Sequence, residues 1–196
     1  MENARVISEK AHFDLVIERL CYQLIEDFDD FGNACFVGIQ TGGVQLAERL
    51  MGKLTEILRG LDSSSKSEKL FDIPLGKLDI TFYRDDFRTS KKPLAANIND
   101  MPFIIENQRV ILVDDVLYTG RSVQSALTAL NHYGRPKSIK LLVLVDRRFN
   151  RQIPIRPDYI GVSIDALDEA YVRVDWAENV GNTEGSDRIL LFPQKA

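Results

Sequence analysis

Two adjacent carboxylates, Asp114 and Asp115, stand at the close of an apolar, β-branched run, Val110 to Val113, which has the pattern of a buried strand. After them the chain reads Val116-Leu117-Tyr118-Thr119-Gly120-Arg121-Ser122, and then Val123, Ala126, Leu127 and Leu130 recur at helical spacing. A strand that stops in acids and restarts as a helix through Thr-Gly-Arg-Ser has the parts of a ligand site. Helix N-termini carry unpaired N–H groups and partial positive charge, which suit a phosphate. Gly120 lets the backbone come close, and the hydroxyls of Thr119 and Ser122 add donors. The two carboxylates suit vicinal sugar hydroxyls or a hard cation such as Mg²⁺. An acid pair after a strand can also be an ordinary helix cap. It is the complete ordered run that separates the two readings.

The elements needed to hold such a site recur along the chain. Leu15, Ile17, Leu20, Cys21, Leu24 and Ile25 give a helix that begins near Asp14, with Gly32 at its exit. Ala34 to Ile39 is a short apolar strand. It enters a helix marked by Val44, Leu46, Ala47, Leu50, Met51, Leu54 and Leu58 through Gly38-Ile39-Gln40-Thr41-Gly42-Gly43, a second strand–glycine turn–helix layout able to receive a phosphate. Leu78, Ile80 and Phe82 alternate with Asp79 and Thr81 as in a half-buried strand. Residues 84 to 101 form a long polar stretch of the kind that serves as an active-site lid. A third apolar strand, Ile139 to Val145, stops at Asp146-Arg147-Arg148, and shorter strands are expected at Tyr159 to Ile164, Tyr171 to Val174 and Ile189 to Phe192. Alternating strands and helices imply right-handed crossovers and a parallel α/β sheet. The polar run 59 to 69 reads as a surface loop, so residues 1–196 are expected to form one domain.

The run Val-Asp-Asp-Val-Leu-Tyr-Thr-Gly-Arg-Ser-Val resembles the phosphoribosyl pyrophosphate signature of type I phosphoribosyltransferases. It is closer still to the family of bifunctional pyrimidine operon attenuation proteins/uracil phosphoribosyltransferases. Asp-Ile-Thr-x-Tyr-Arg-Asp-Asp, Leu-Val-Asp-Arg and Pro-Ile-Arg-Pro-Asp-Tyr-Ile-Gly extend the resemblance over nearly the whole chain, and it weakens after Gly161. The resemblance implies a doubly wound parallel sheet with a small hood built from the terminal segments. It implies a reaction of uracil with phosphoribosyl pyrophosphate and Mg²⁺, giving uridine monophosphate and pyrophosphate.

In that scheme Asp114 and Asp115 are the catalytic acids and candidate Mg²⁺ contacts, and Val116 to Ser122 bind the phosphoribosyl group. Thr41, Gly42, Gly43 and Arg84 meet pyrophosphate, in a loop that often carries a strained peptide bond. Asp146 and Arg147 face the crevice and contact the base, Arg147 through its fork of donors. Relatives commonly place Arg or Lys where this chain has Gly42, which removes a cation from the pyrophosphate site. A purine base remains an alternative substrate.

Composition narrows the surroundings. Hydrophobic residues make up 44% and charged residues 28%, ordinary for a soluble globular chain, and the apolar run Leu141 to Val145 is far too short to cross a bilayer. Cys21 and Cys35 lack metal-ligand spacing and read as buried thiols, so the cytoplasm is the expected location. A net charge of −4 gives no global attraction to nucleic acid or to a membrane. RNA binding, the second role that the resemblance implies, would need a local basic face. Arg135, Lys137, Lys140, Arg147, Arg148, Arg151 and Arg156 are its candidates. Asp165, Asp168 and Glu169 stand where relatives are Lys-rich, so RNA is the less favoured partner. A homo-oligomer is expected by family analogy.

Overall fold

The computed structural model describes residues 4–29, 31–61, 73–83, 99–166, 170–182 and 184–192. In chain order the elements are β1 (Arg5–Ser8), α1 (Lys10–Phe28), β2 (Ala34–Ile39), α2 (Gly42–Leu61), β3 (Leu75–Leu78), a 3-10 turn (Thr81–Tyr83), β4 (Arg109–Leu117), α3 (Arg121–Leu130), β5 (Ser138–Arg147), β6 (Tyr159–Ile164), β7 (Tyr171–Asp175) and β8 (Arg188–Phe192).

Five of these strands form a parallel sheet in the order β3-β2-β4-β5-β6. The chain leaves β2 toward one edge and returns through β4 on the other side. The strand order therefore reverses between β2 and β4, the place where open α/β sheets bind ligands. Side chains of β4 alternate between two cores. Ile111 and Val113 face α1 and α2 with Leu20, Leu24, Leu46 and Leu50, while Val110 and Leu112 face α3 with Val123, Ala126 and Leu130. Truncating a fully buried leucine such as Leu112 to alanine in such a core costs about 2–5 kcal/mol.

The terminal segments build the separate sheet that the resemblance implies, three antiparallel strands in the order β1-β8-β7. Arg49 of α2 ties it down, donating to Asp187 at 2.8 Å and to Glu178 at 2.6 Å while lying over the Trp176 ring. Trp176 is buried and meets Phe13 of α1 edge to face, a core role.

Several boundaries differ from those the sequence suggests. α1 ends at Phe28, and it is Asp29, Phe31 and Asn33, not Gly32, that take positive φ on the way to β2. The strand expected over Leu78 to Phe82 stops at Leu78. There the Asp79 carboxylate accepts from Thr81 N–H at 2.6 Å, a local bond that turns the backbone away from the ladder. β4 and β5 both run further than expected. Asp114 and Asp115 lie inside β4, and Asp146 and Arg147 inside β5, because parallel pairing continues past the apolar runs to Leu117 beside Asp146. The stretch expected as a lid lies outside the described residues from 84 to 98.

Candidate functional site

Beyond β4 the chain turns through Tyr118, Thr119 and Gly120 into α3. Gly120, the N-cap, sits at φ 90°, a left-handed conformation that a Cβ strains, and Thr119 Oγ1 accepts from Arg121 N–H over 3.4 Å at the helix start. The start of α3 faces a cavity of about 330 Å³. It is lined by Asp114, by every residue from Val116 to Ser122, and by Val123 and Ser125. All seven residues proposed to hold the phosphoribosyl group are on its wall. Val123 and Ser125 carried no sequence signal beyond their place on the helix.

The two acids do not share this cavity. Asp114 lines it, whereas the Asp115 carboxylate reaches toward the β2–α2 loop. A Cβ on Gly42 would lie 2.2 Å from Asp115 Oδ2. Strand alternation explains the split, since neighbouring side chains leave opposite faces of a sheet. Burial pushes the Asp114 carboxyl well above the usual carboxylate range, with the neighbouring Asp115 charge adding to it. Burial also raises Asp115, opposed by hydrogen bonds from the backbone, among them Val116 N–H at 2.9 Å. A carboxyl raised by burial in a cleft is a functional-site candidate.

Gly43 packs the start of α2 directly on β4, where a Cβ would come 2.2 Å from the Val113 carbonyl oxygen. Thr41, Gly42 and Gly43 thus stand beside the Asp pair across the β2/β4 crevice, and the Gln40–Thr41 peptide is cis. Arg84 lies outside the described residues.

Asp146 and Arg147 gather around the same turn, but not as two free base contacts. Asp146, buried in β5, is ion-paired with Arg151. Arg151 in turn donates to the Tyr118 carbonyl at 2.5 Å. Arg147 is buried with its guanidinium 3.9 Å from the Tyr118 ring centroid, a cation–π contact, and its Nε and Nη2 have no hydrogen-bond partner among the described residues. A buried guanidinium with unmet donors suits an incoming carbonyl. Asp146 is linked to the Tyr118 carbonyl through Arg151.

Among the described residues no group of three or more His, Cys, Asp or Glu side chains converges to cage an ion. Mg²⁺ commonly takes one or two carboxylates with substrate phosphates and waters, without a protein cage. One acid beside the β2–α2 loop fits that substrate-borne mode.

This arrangement, an α3 N-terminus over a cavity floored by a buried acid at the sheet's reversal point, agrees with the comparisons to known proteins. A family model described as phosphoribosyl transferase domain matches residues 7–179. "Bifunctional protein PyrR 1" of Lactiplantibacillus plantarum is 44% identical over 169 residues, covering 85% of this chain and 87% of that protein. "Bifunctional protein PyrR" of Deinococcus radiodurans is 41% identical over 176 residues, covering 90% and 87%. The chain belongs to the phosphoribosyltransferase family, in its bifunctional PyrR branch. The hypoxanthine phosphoribosyltransferase of Trypanosoma cruzi superposes with a TM-score of 0.67 at 17% identity, over 97% of each chain, which is a likeness of fold. The type I phosphoribosyltransferase fold expected from the sequence is therefore the fold of this family member.

Proposed function

We infer that this protein transfers ribose 5-phosphate from phosphoribosyl pyrophosphate to uracil, giving uridine monophosphate and pyrophosphate. The observation that carries the reading is the cavity over α3, which joins a helix N-terminus to the buried Asp114 carboxyl. The turn and the first N–H groups of α3 bind the 5-phosphate. Asp114 faces the ribose in that cavity, and as a carboxylate it stabilises positive charge developing at C1. Loss of pyrophosphate produces an oxocarbenium-like centre, so no protein nucleophile is needed.

Thr41, Gly42 and Gly43 present the α2 N-terminus to the pyrophosphate, with Arg84 as a further contact. Asp115 lies next to that loop, where it would hold a Mg²⁺ ion arriving with the substrate. The ion, when bound, neutralises the leaving pyrophosphate. Arg147 meets a uracil carbonyl with the donors that lack protein partners, and stacking on Tyr118 keeps the guanidinium plane fixed. Catalysis in this scheme rests on position and on electrostatics.

The test is turnover of phosphoribosyl pyrophosphate across uracil, hypoxanthine, guanine, xanthine and orotate. Uracil should be the preferred base. A purine preferred by kcat/KM would refute the base assignment while leaving the phosphoribosyl site in place. No described helix is long and apolar enough to cross a membrane. A homo-oligomer is expected, to be read from its mass in solution.

A further inference from the structure

The segment after β5 grips the phosphate turn from outside. Arg151 donates one guanidinium nitrogen to the Asp146 carboxylate and another to the Tyr118 carbonyl, the latter at 2.5 Å. The backbone N–H groups of Gln152 and Ile153 both donate to the Thr119 carbonyl at 3.0 Å. Arg121, the first residue of α3, donates from Nε to Gln152 Oε1 at 2.6 Å. The Ile153 side chain sits so close to Gly120 that a Cβ there would be 3.1 Å from it.

These contacts have a directional consequence. In a trans peptide the C=O and the following N–H point opposite ways. Holding the Tyr118 and Thr119 carbonyls toward residues 151–153 therefore turns the N–H groups of Thr119 and Gly120 the other way, toward the cavity. Among the described residues no hydrogen bond occupies either N–H. A loop with a glycine at φ 90° has other conformations open to it, and the brace selects the one in which its donors converge.

We propose that Arg151, acting with the backbone of Gln152 and Ile153, is a positioning residue that aims the Thr119 and Gly120 N–H groups at the 5-phosphate. The inference rests on the reading that this turn binds the 5-phosphate of phosphoribosyl pyrophosphate. Arg151 touches no reacting atom. It acts through the turn, with Asp146 as the anchor that fixes its guanidinium.

The role predicts a specific kinetic split. Arg151→Gln should weaken binding of phosphoribosyl pyrophosphate with Mg²⁺, measured by calorimetry, about tenfold, and raise its KM to match. The KM for uracil and kcat should stay within about twofold, because phosphate anchoring is shared by ground and transition states. Arg151→Lys, which keeps the charge but lacks the fork, should recover only part of the loss.

Removing Arg151 leaves Asp146 buried without its cation, so Arg151→Gln could lose the fold. The Asp146→Asn/Arg151→Gln pair removes that charge. It should unfold near the wild-type temperature and still bind phosphoribosyl pyrophosphate about tenfold more weakly. Unchanged binding in a folded variant, or a loss confined to kcat or to the uracil KM, overturns the assignment alone. A wild-type protein that binds no phosphoribosyl pyrophosphate overturns the phosphoribosyl reading, and the assignment with it.

Discussion

The β2–α2 and β4–α3 loops share one layout, strand into glycine turn into helix, yet they are built by opposite means. At β2–α2 the space is closed. Gly43 lies against the Val113 carbonyl, and the place where Gly42 would carry a side chain is filled by the Asp115 carboxylate. At β4–α3 the space is open, a cavity of about 330 Å³, and the turn is held from its outer side by hydrogen bonds to residues 151–153. The first loop gets its shape from close packing, which tolerates no added atom. The second gets its shape from hydrogen bonds that leave its inner face free. Substitutions should therefore act on stability at the first loop and on ligand binding at the second.

The largest effect should come from the acid that the open loop exposes to ligand. Asp114→Asn should lower turnover roughly 100-fold or more, the usual scale for losing charge stabilisation at a developing charge. The same variant should be more stable without ligand. A carboxyl raised in the folded state favours the protonated form, so its stabilising contribution is present below the ordinary carboxylate range. That contribution is lost as pH rises from there through the raised folded value. Melting curves from pH 4 to pH 8 should show the variant's advantage growing with pH. Asn can still accept the Asp115 N–H bond, now 3.1 Å, so the fold has no reason to suffer. A variant that keeps near-wild-type turnover, or melts lower throughout, would put Asp114 outside the chemistry.

At the closed loop the two glycines should differ from each other. Gly43→Ala drives a methyl into backbone, the Val113 carbonyl at 2.2 Å, and β4 cannot yield cheaply. It should cost about 3 kcal/mol, at the upper end for overpacking. Gly42→Ala meets only the end of a side chain, so Asp115 can swing aside, and the cost should be about 1 kcal/mol or less. Urea denaturation of both variants measures this directly. Equal losses would mean that Asp115 is as rigid as the backbone. At the open loop, Gly120→Ala adds strain at φ 90° and presses on Ile153, for about 1–2 kcal/mol. It should raise the KM for phosphoribosyl pyrophosphate more than it lowers the melting temperature, the reverse of Gly43→Ala.

How legible the two loops were in the sequence follows from the same contrast. The open loop was readable because its residue types stand at fixed offsets, from Asp114 to Ser122, and its strand and helix carry clear apolar periods. The sheet was readable for the same reason, with Ala34–Ile39 and Tyr159–Ile164 matching residue for residue. β1 was not expected, because a short strand with two exposed residues acquires its pattern only from pairing with β8, far away in sequence. The split of Asp114 from Asp115 follows from alternation, but only once β4 is known to continue through both. The Arg151 brace had no local signal at all. Its partners are Asp146 and the carbonyl of Tyr118, and a backbone carbonyl is a partner that no residue type announces.

The smallest expected effect concerns RNA, and it tests whether the brace leaves any cations to spare. Of the basic residues near the β4–α3 loop, Arg147 is buried on Tyr118 and Arg151 is engaged by Asp146. Arg148 is held by Asp165, with Nε donating at 2.7 Å. That pairing raises the guanidinium pKa and lowers that of the carboxyl. Lys140 is shared between Asp27 and Asp158 at 3.3 and 3.7 Å. Cations already matched by carboxylates release few counterions from RNA, so wild-type binding to a pyrimidine-operon leader should be weak and largely lost at physiological salt. Asp165→Lys both removes an acid and releases Arg148. It should strengthen leader binding at low salt and steepen the slope of log affinity against log salt by about 1–2, the change expected for one or two added phosphate contacts. The turn brace does not involve Asp165, so the affinity for phosphoribosyl pyrophosphate should not move. Tight, nucleotide-enhanced binding by the wild type at physiological salt would show that these ion pairs open to meet RNA. In that case the brace on the phosphate turn would be a switched element, and the packed loop alone would be static.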